Sequence, residues 1–220
     1  EAIPLTGTIV SGTYGTFKSE TNIKNYSHGM FQSVFDYPHL SSSANHVFDL
    51  SIGYANSSNL SASANVQNSK KINIYNQMAQ VLMGHDTGSN IQLFDEDGNI
   101  TAGGTKLDSC FFLNFARLLT KDEVKKGTFS IELGMEPTFS PDATSTPMDD
   151  RIKITDKNAQ NDFRVNSPAG EYGILYADTS TSTDILNTDT GAQKVGLLFY
   201  QAGIAVLTAS IFNDTGNATE

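Results

Sequence analysis

The chain has 220 residues, with 14 Lys+Arg against 24 Asp+Glu, for a formal net charge of −10. Only 17% of residues are charged and 38% are hydrophobic, while Ser, Thr, Asn and Gly make up 80 of the 220. That mixture favours strands and turns over long helices, and an acidic chain lacks the basic stripe that a nucleic-acid binder needs to neutralise phosphates.

The segment Thr6–Phe17 alternates small and larger residues and predicts one or two short strands. Residues 18–46 carry Asn, Ser, His and Gly with little periodicity, which predicts an extended arm or long loop. From His46 to Gly53, Val47, Asp49 and Ser51 alternate with Phe48, Leu50 and Ile52, the pattern of a half-buried strand. The Ser/Asn/Ala-rich stretch from Asn56 to Asn65 reads as a loop. A helix is expected over 69–83, capped by Asn68 or Ser69, with Ile72, Tyr75, Ala79 and Leu82 on one stripe and Gly84 as its left-handed stop.

Ile91–Phe94 and Ile100–Ala102 flank Asp97-Gly98, a hairpin-turn signal. Lys106–Leu119 holds a dense apolar strand around Phe111, Leu113 and Phe115. Thr120-Lys-Asp-Glu123 has the spacing of a capping box and predicts a second short helix, with Lys125 and Lys126 at its negative end and Gly127 as its stop. Phe129, Ile131 and Leu133 alternate onto one face of a further strand. Residues 136–150 hold three of the six prolines and four Asp/Glu, which predicts a long exposed loop.

Short strands follow near 151–155, 161–165 and 172–177, then a Ser/Thr/Asp loop over 178–193. Val195–Tyr200 and Ile204–Phe212 form a hairpin around Gln201-Ala202-Gly203, with Gly203 in the left-handed position. Both arms are near-continuous apolar runs, so both faces are expected to be covered. The fold expected is therefore mainly β, antiparallel sheets in a sandwich or barrel-like arrangement with one or two short helices packed on them. The organisation expected is an extended arm or strand region over 1–46, a β-rich core over 47–212 and a flexible tail over 213–220.

Chemistry-bearing constellations are weak. Asp95, Asp97 and Asn99 invite a calcium reading, but that loop would need Gly at position 100 and Glu at position 106, where Ile100 and Lys106 stand. A hairpin turn is the better reading, and Asp149-Asp150 reads as a solvated loop. His28, His39, His46 and His85 match no zinc spacing. No Gly-x-Ser-x-Gly elbow supports a serine triad, and Gly7, Gly12 and Gly15 match no nucleotide fingerprint. The sequons at Asn25, Asn56, Asn59, Asn99, Asn213 and Asn217 follow from composition. Cys110 has no partner for an internal disulfide and reads as a buried thiol. No continuous apolar stretch approaches the roughly 18 residues of a membrane span, because the longest candidate, Val195–Phe212, is interrupted by Gly196, Gln201, Gly203 and Thr208. No catalytic residue, cofactor site or metal site is expected, and neither a nucleic-acid nor a membrane partner.

Three blocks carry a resemblance: Lys71–Leu82, Phe112–Phe129 and Val195–Leu207. They resemble virion structural proteins of T4-like tailed phages of marine bacteria. The resemblance implies a non-enzymatic virion part, in the tail, neck or baseplate in preference to the head, with a homo-oligomer and other virion proteins as partners. Its blocks are packing and turn motifs, so it assigns no functional residue. A capsid decoration protein is one alternative; another is a glycan-binding, adhesin-like receptor module, with Tyr14, Tyr26, Tyr37 and Tyr54 as its platform. A tail-borne depolymerase is a third, for which a chain without repeats is short. For an assembling part, 18–46 and 136–150 are the expected contact elements.

Overall fold

A computed structural model describes residues 21–26, 31–61, 66–98, 104–117, 122–134, 151–178 and 192–212. Ten antiparallel strands make one open sheet rather than a closed barrel. In chain order they are β1 (Ile23–Asn25), β2 (Phe31–Phe35), β3 (His46–Tyr54), β4 (Ser109–Phe115), β5 (Ser130–Gly134), β6 (Arg151–Thr155), β7 (Phe163–Ser167), β8 (Gly170–Asp178), β9 (Ala192–Phe199) and β10 (Ile204–Thr208). Helix α1 (Val66–Leu82) stands between β3 and β4, and 3₁₀ turns cover Asn59–Ser61 and Ala209–Phe212.

The spatial order is β1-β2-β3-β4-β10-β9-β8-β6-β5. The same edge of β8 is shared: its first residues pair with β7 and its last, Tyr176–Asp178, with β6. The β9–β10 hairpin forms around Gly203 (φ 67°), but β9 begins at Ala192, within the expected loop, and the second arm leaves the sheet at Thr208 for the 3₁₀ turn of Ala209–Phe212. Its loop holds four residues instead of three, because the strands end at Phe199 and resume at Ile204, which puts Tyr200 in the turn.

Alternation then sorts the apolar side chains onto two covered faces. On one face Cys110 and Phe112 of β4, Val206 of β10, Leu197 and Phe199 of β9, and Tyr172 and Ile174 of β8 meet α1 and the segment around Phe94 and Leu107. On the other, Leu113, Ala205, Leu207, Leu198 and Leu175 meet Ile152 and Ile154 of β6. Phe129, Ile131 and Leu133 pack on that second cluster, as their alternation predicts. Phe129 reaches Phe115 at 5.6 Å between ring centroids, so the sheet curls until the β5–β6 end lies over β4. At Val195 the register skips one residue between β8 and β9, a bulge that turns this valine onto the same face as Leu198.

Helix α1 starts at Val66, three residues before the expected start, so its N-cap lies outside the described residues. Tyr75, Ala79 and Leu82 are fully buried as the stripe predicts. Ile72 is only partly buried, and Ile74 and Met78 join the core in its place. Gly84 closes the helix at φ 81°, its amide donating to Ala79 O at 3.1 Å. The helix lies close on β3: a Cβ at Gly53 would stand 2.7 Å from Tyr75 N and 3.0 Å from Lys71 O. Only a residue without a side chain permits that approach.

Four expectations change. Within 18–46, the described residues include two sheet strands in place of an arm or loop, and the facing pair Ile23 and Val34 is buried at 4% and 1% exposure. Two inward side chains on separate strands leave no periodicity for a sequence reading to find. Residues 122–127 form no helix: Val124 N donates to Tyr200 O at 3.0 Å and Gly127 N to Asp156 Oδ2 at 2.8 Å, so distant acceptors take the amides. Ile91–Phe94 makes only isolated bridges, His85 with Ile91 and Asp95 with Lys106. The strand expected at 161–165 runs over Phe163–Ser167. The expectations for 6–17, Thr120, 136–150 and 213–220, and for most of the loop at 178–193, lie outside the described residues.

Candidate functional site

The Asp95 loop turns at Gly98 (φ 67°), whose amide donates to Asp95 O at 3.3 Å. Sequence reading places Asp95 at a hairpin turn, and the structure buries it completely. Its carboxylate meets Lys106 Nζ and accepts from Asp97 N at 3.1 Å. Burial pushes this carboxyl above the usual carboxylate range, a hydrogen bond with the Asp97 side chain adds to the rise, and Lys106 opposes both. Beside it, Tyr172 Oη donates to Gly98 O at 2.8 Å and is 2.7 Å from Asn166 Oδ1. The ammonium already occupies the place where a cation would sit, and Asn99 lies outside the described residues.

The histidines do not converge on a metal centre. His39 Nδ1 lies 2.7 Å from Thr21 O, His46 Nε2 lies 2.9 Å from Asp49 Oδ1, and His85 is exposed; His28 lies outside the described residues. Among the described residues no group of three or more His, Cys, Asp and Glu could hold a metal ion.

Cross-strand register does assemble a serine, a histidine and an aspartate that sequence reading missed. Ser33 stands opposite Asp49, and Ser33 Oγ donates to Asp49 Oδ1 at 2.5 Å, the same oxygen that His46 contacts. Nucleophile activation requires the hydroxyl to donate to the imidazole. Here the carboxylate lies between the two, and Ser33 is 4% exposed. The group ties β2 to β3 and has no nucleophile geometry. Register at a separation of sixteen residues is its only signal, and alternation alone does not supply it.

A second buried carboxylate, Asp156, is also invisible to sequence motifs. It accepts from Gly127 N at 2.8 Å, Phe129 N at 2.9 Å and Tyr200 Oη at 3.2 Å. Gly173 makes room for that phenol, since a Cβ there would fall 2.1 Å from Tyr200 Oη. Burial, and then the Asp156 charge, raise the Tyr200 phenol above its ordinary value. Lys126 pairs with Glu171 and lies 4.9 Å over the Phe163 ring and 5.4 Å over Tyr200. Cys110 is fully buried with Sγ 3.4 Å from Leu107 O, and burial pushes its thiol up, away from the reactive thiolate.

The structure describes three of the four tyrosines named for the adhesin-like alternative. Tyr54 is buried, its hydroxyl donating to Asn68 Oδ1 at 2.6 Å. Tyr26 leans on Phe31 at 4.5 Å under Lys24, and Tyr37 is 48% exposed. Tyr14 lies outside the described residues.

What the described residues present outward is backbone. Among the described residues β1 and β5 end the sheet, and β7 pairs only with β8. On β7, Val165 is 70% and Phe163 38% exposed. Such edges pair readily with another chain unless they are blocked. No helix among the described residues is long and apolar enough to cross a membrane. No family model, curated protein or solved structure matches the chain.

Proposed function

We propose that this protein is a non-enzymatic structural part of a phage virion, assembled with copies of itself and with other virion proteins. Tail, neck or baseplate is favoured over head. The observation that carries this reading is the open sheet: three strands with edges unpaired among the described residues, one of them bearing exposed Val165 and Phe163. The polar clusters support a non-enzymatic role, because each one ties chain segments together. The sequence resemblance supplies the setting. Its blocks include most of α1, the end of β4 and the β9–β10 hairpin, which share one core cluster.

Light-scattering mass of the purified chain, followed by quantitation of the chain in purified particles, tests the reading. The expected result is concentration-dependent self-association and a fixed stoichiometry in particles, with immunogold label on the tail or baseplate. Label on the head surface makes it a decoration protein instead. A chain that stays monomeric at high concentration and is absent from particles overturns the proposal.

A further inference from the structure

The pairing of Lys106 with Asp95 brings together the parts of a condensation. The two residues face each other across an antiparallel bridge, so their side chains start from neighbouring positions on adjacent backbones. The Asp95 side chain is 1% exposed and in contact with Lys106 Nζ. Gly104 closes over it so tightly that a Cβ there would stand 3.0 Å from Asp95 Oδ2. The Asp97 side chain is hydrogen-bonded to that of Asp95. Lys106 itself is 26% exposed, which leaves a route for a small product to escape.

We propose that Lys106 and Asp95 are joined after folding by an intramolecular isopeptide bond, formed with Asp97 as the proton relay. An ammonium and a carboxylate do not condense in water, where both stay ionised. In a closed site, one proton passes along the existing hydrogen bond from Nζ to the carboxylate, leaving an amine and a carboxylic acid. The raised affinity of Asp95 for a proton favours that exchange. The Nζ lone pair attacks Cγ of Asp95. Asp97 takes a proton from the nitrogen and hands it to the departing hydroxyl. The Nζ–Cγ bond forms, the Cγ–OH bond breaks and one water leaves, with no oxidant or reductant. Holding the two groups in contact supplies an effective concentration on the order of 10⁵ M or more. The product staples the segment before the Gly98 turn to the strand that leads into β4.

Intact mass of the full chain, measured after denaturation, tests this directly. The expected mass is about 18 Da below that of the sequence, one water. Trypsin is then expected to leave Ile72 to Arg117 as one peptide, uncut after Lys106, because an acylated lysine is not a cleavage site. In K106R the guanidinium keeps the ion pair but stays protonated and cannot attack, so full mass and cleavage at that position return. D97N is expected to accumulate the uncondensed, full-mass chain. Full mass with cleavage after Lys106 in the unaltered protein overturns the proposal. So does a water loss that persists in K106R, which would place the dehydration at Asp97-Gly98 as a succinimide. If D97N condenses completely, the relay role of Asp97 is overturned. The unaltered chain answers the main question even if a variant fails to fold.

Discussion

Replacing Asp156 with alanine removes the acceptor for three donors at once. Gly127 N and Phe129 N hold the 122–129 segment, and Tyr200 Oη anchors the β9–β10 turn. A hydrogen bond to a charged group contributes about 1.5–3 kcal/mol. The two amides lie on a partly exposed segment and can recover water, so the lower end applies to each of them. The Tyr200 phenol is fully buried and cannot. Against this stands the desolvation of a buried carboxylate, which the alanine relieves. The net expectation is a loss of about 3 kcal/mol, or roughly 6–12 °C in melting temperature for a chain of this size. Urea denaturation and calorimetry measure it. Hydrogen exchange locates it, with the Gly127 and Phe129 amides accelerated and the amides of α1 unchanged. Asp156→Asn should fall between wild type and alanine, since its carbonyl oxygen still accepts while its NH₂ faces the remaining donors. An Asp156→Ala protein melting within a degree of wild type refutes the role of this carboxylate as a clasp.

Leu82→Asp should cost several kcal/mol by placing an unpaired charge among Tyr75, Phe94 and Phe112; an unchanged urea midpoint would remove Leu82 from the core. Gly53→Ala should destabilise by about 1–3 kcal/mol, because α1 must lift off β3 to admit the methyl group; neutrality would mean that the close approach is not maintained. Burial raises the Tyr172 phenol from 10.0 to about 12. Between those values the folded state keeps a proton that the unfolded chain has lost, so stability falls as pH rises through this window, by about 1.4 kcal/mol per unit. Tyr75 and Tyr200, raised in the same direction by burial, add to the slope. Denaturation midpoints that stay level from pH 10 to 12 would contradict the burial of these phenols.

Elements whose periodicity is internal to one segment are legible from the residues alone. Phe129, Ile131 and Leu133 repeat every second residue and share a sheet face. Tyr75, Ala79 and Leu82 repeat at helical spacing and share a helix face. Gly84 and Gly203 mark chain reversals by backbone freedom alone. Whatever depends on a distant partner is legible only in the folded chain. The capping-box pattern at Thr120–Glu123 is a local preference of about 1 kcal/mol, and Tyr200 O and Asp156 outweigh it by taking the Val124 and Gly127 amides. Ile23 and Val34 bury only because β1 and β2 extend the sheet from β3. Ser33, His46 and Asp49 meet through register, and the hairpin-turn reading of Asp95 carries no sign that Lys106 and Gly104 close on it. A side chain's own segment sets which face it occupies. Whether that face meets water, a carboxylate or an ammonium is set by residues remote in the sequence, and no local pattern encodes them.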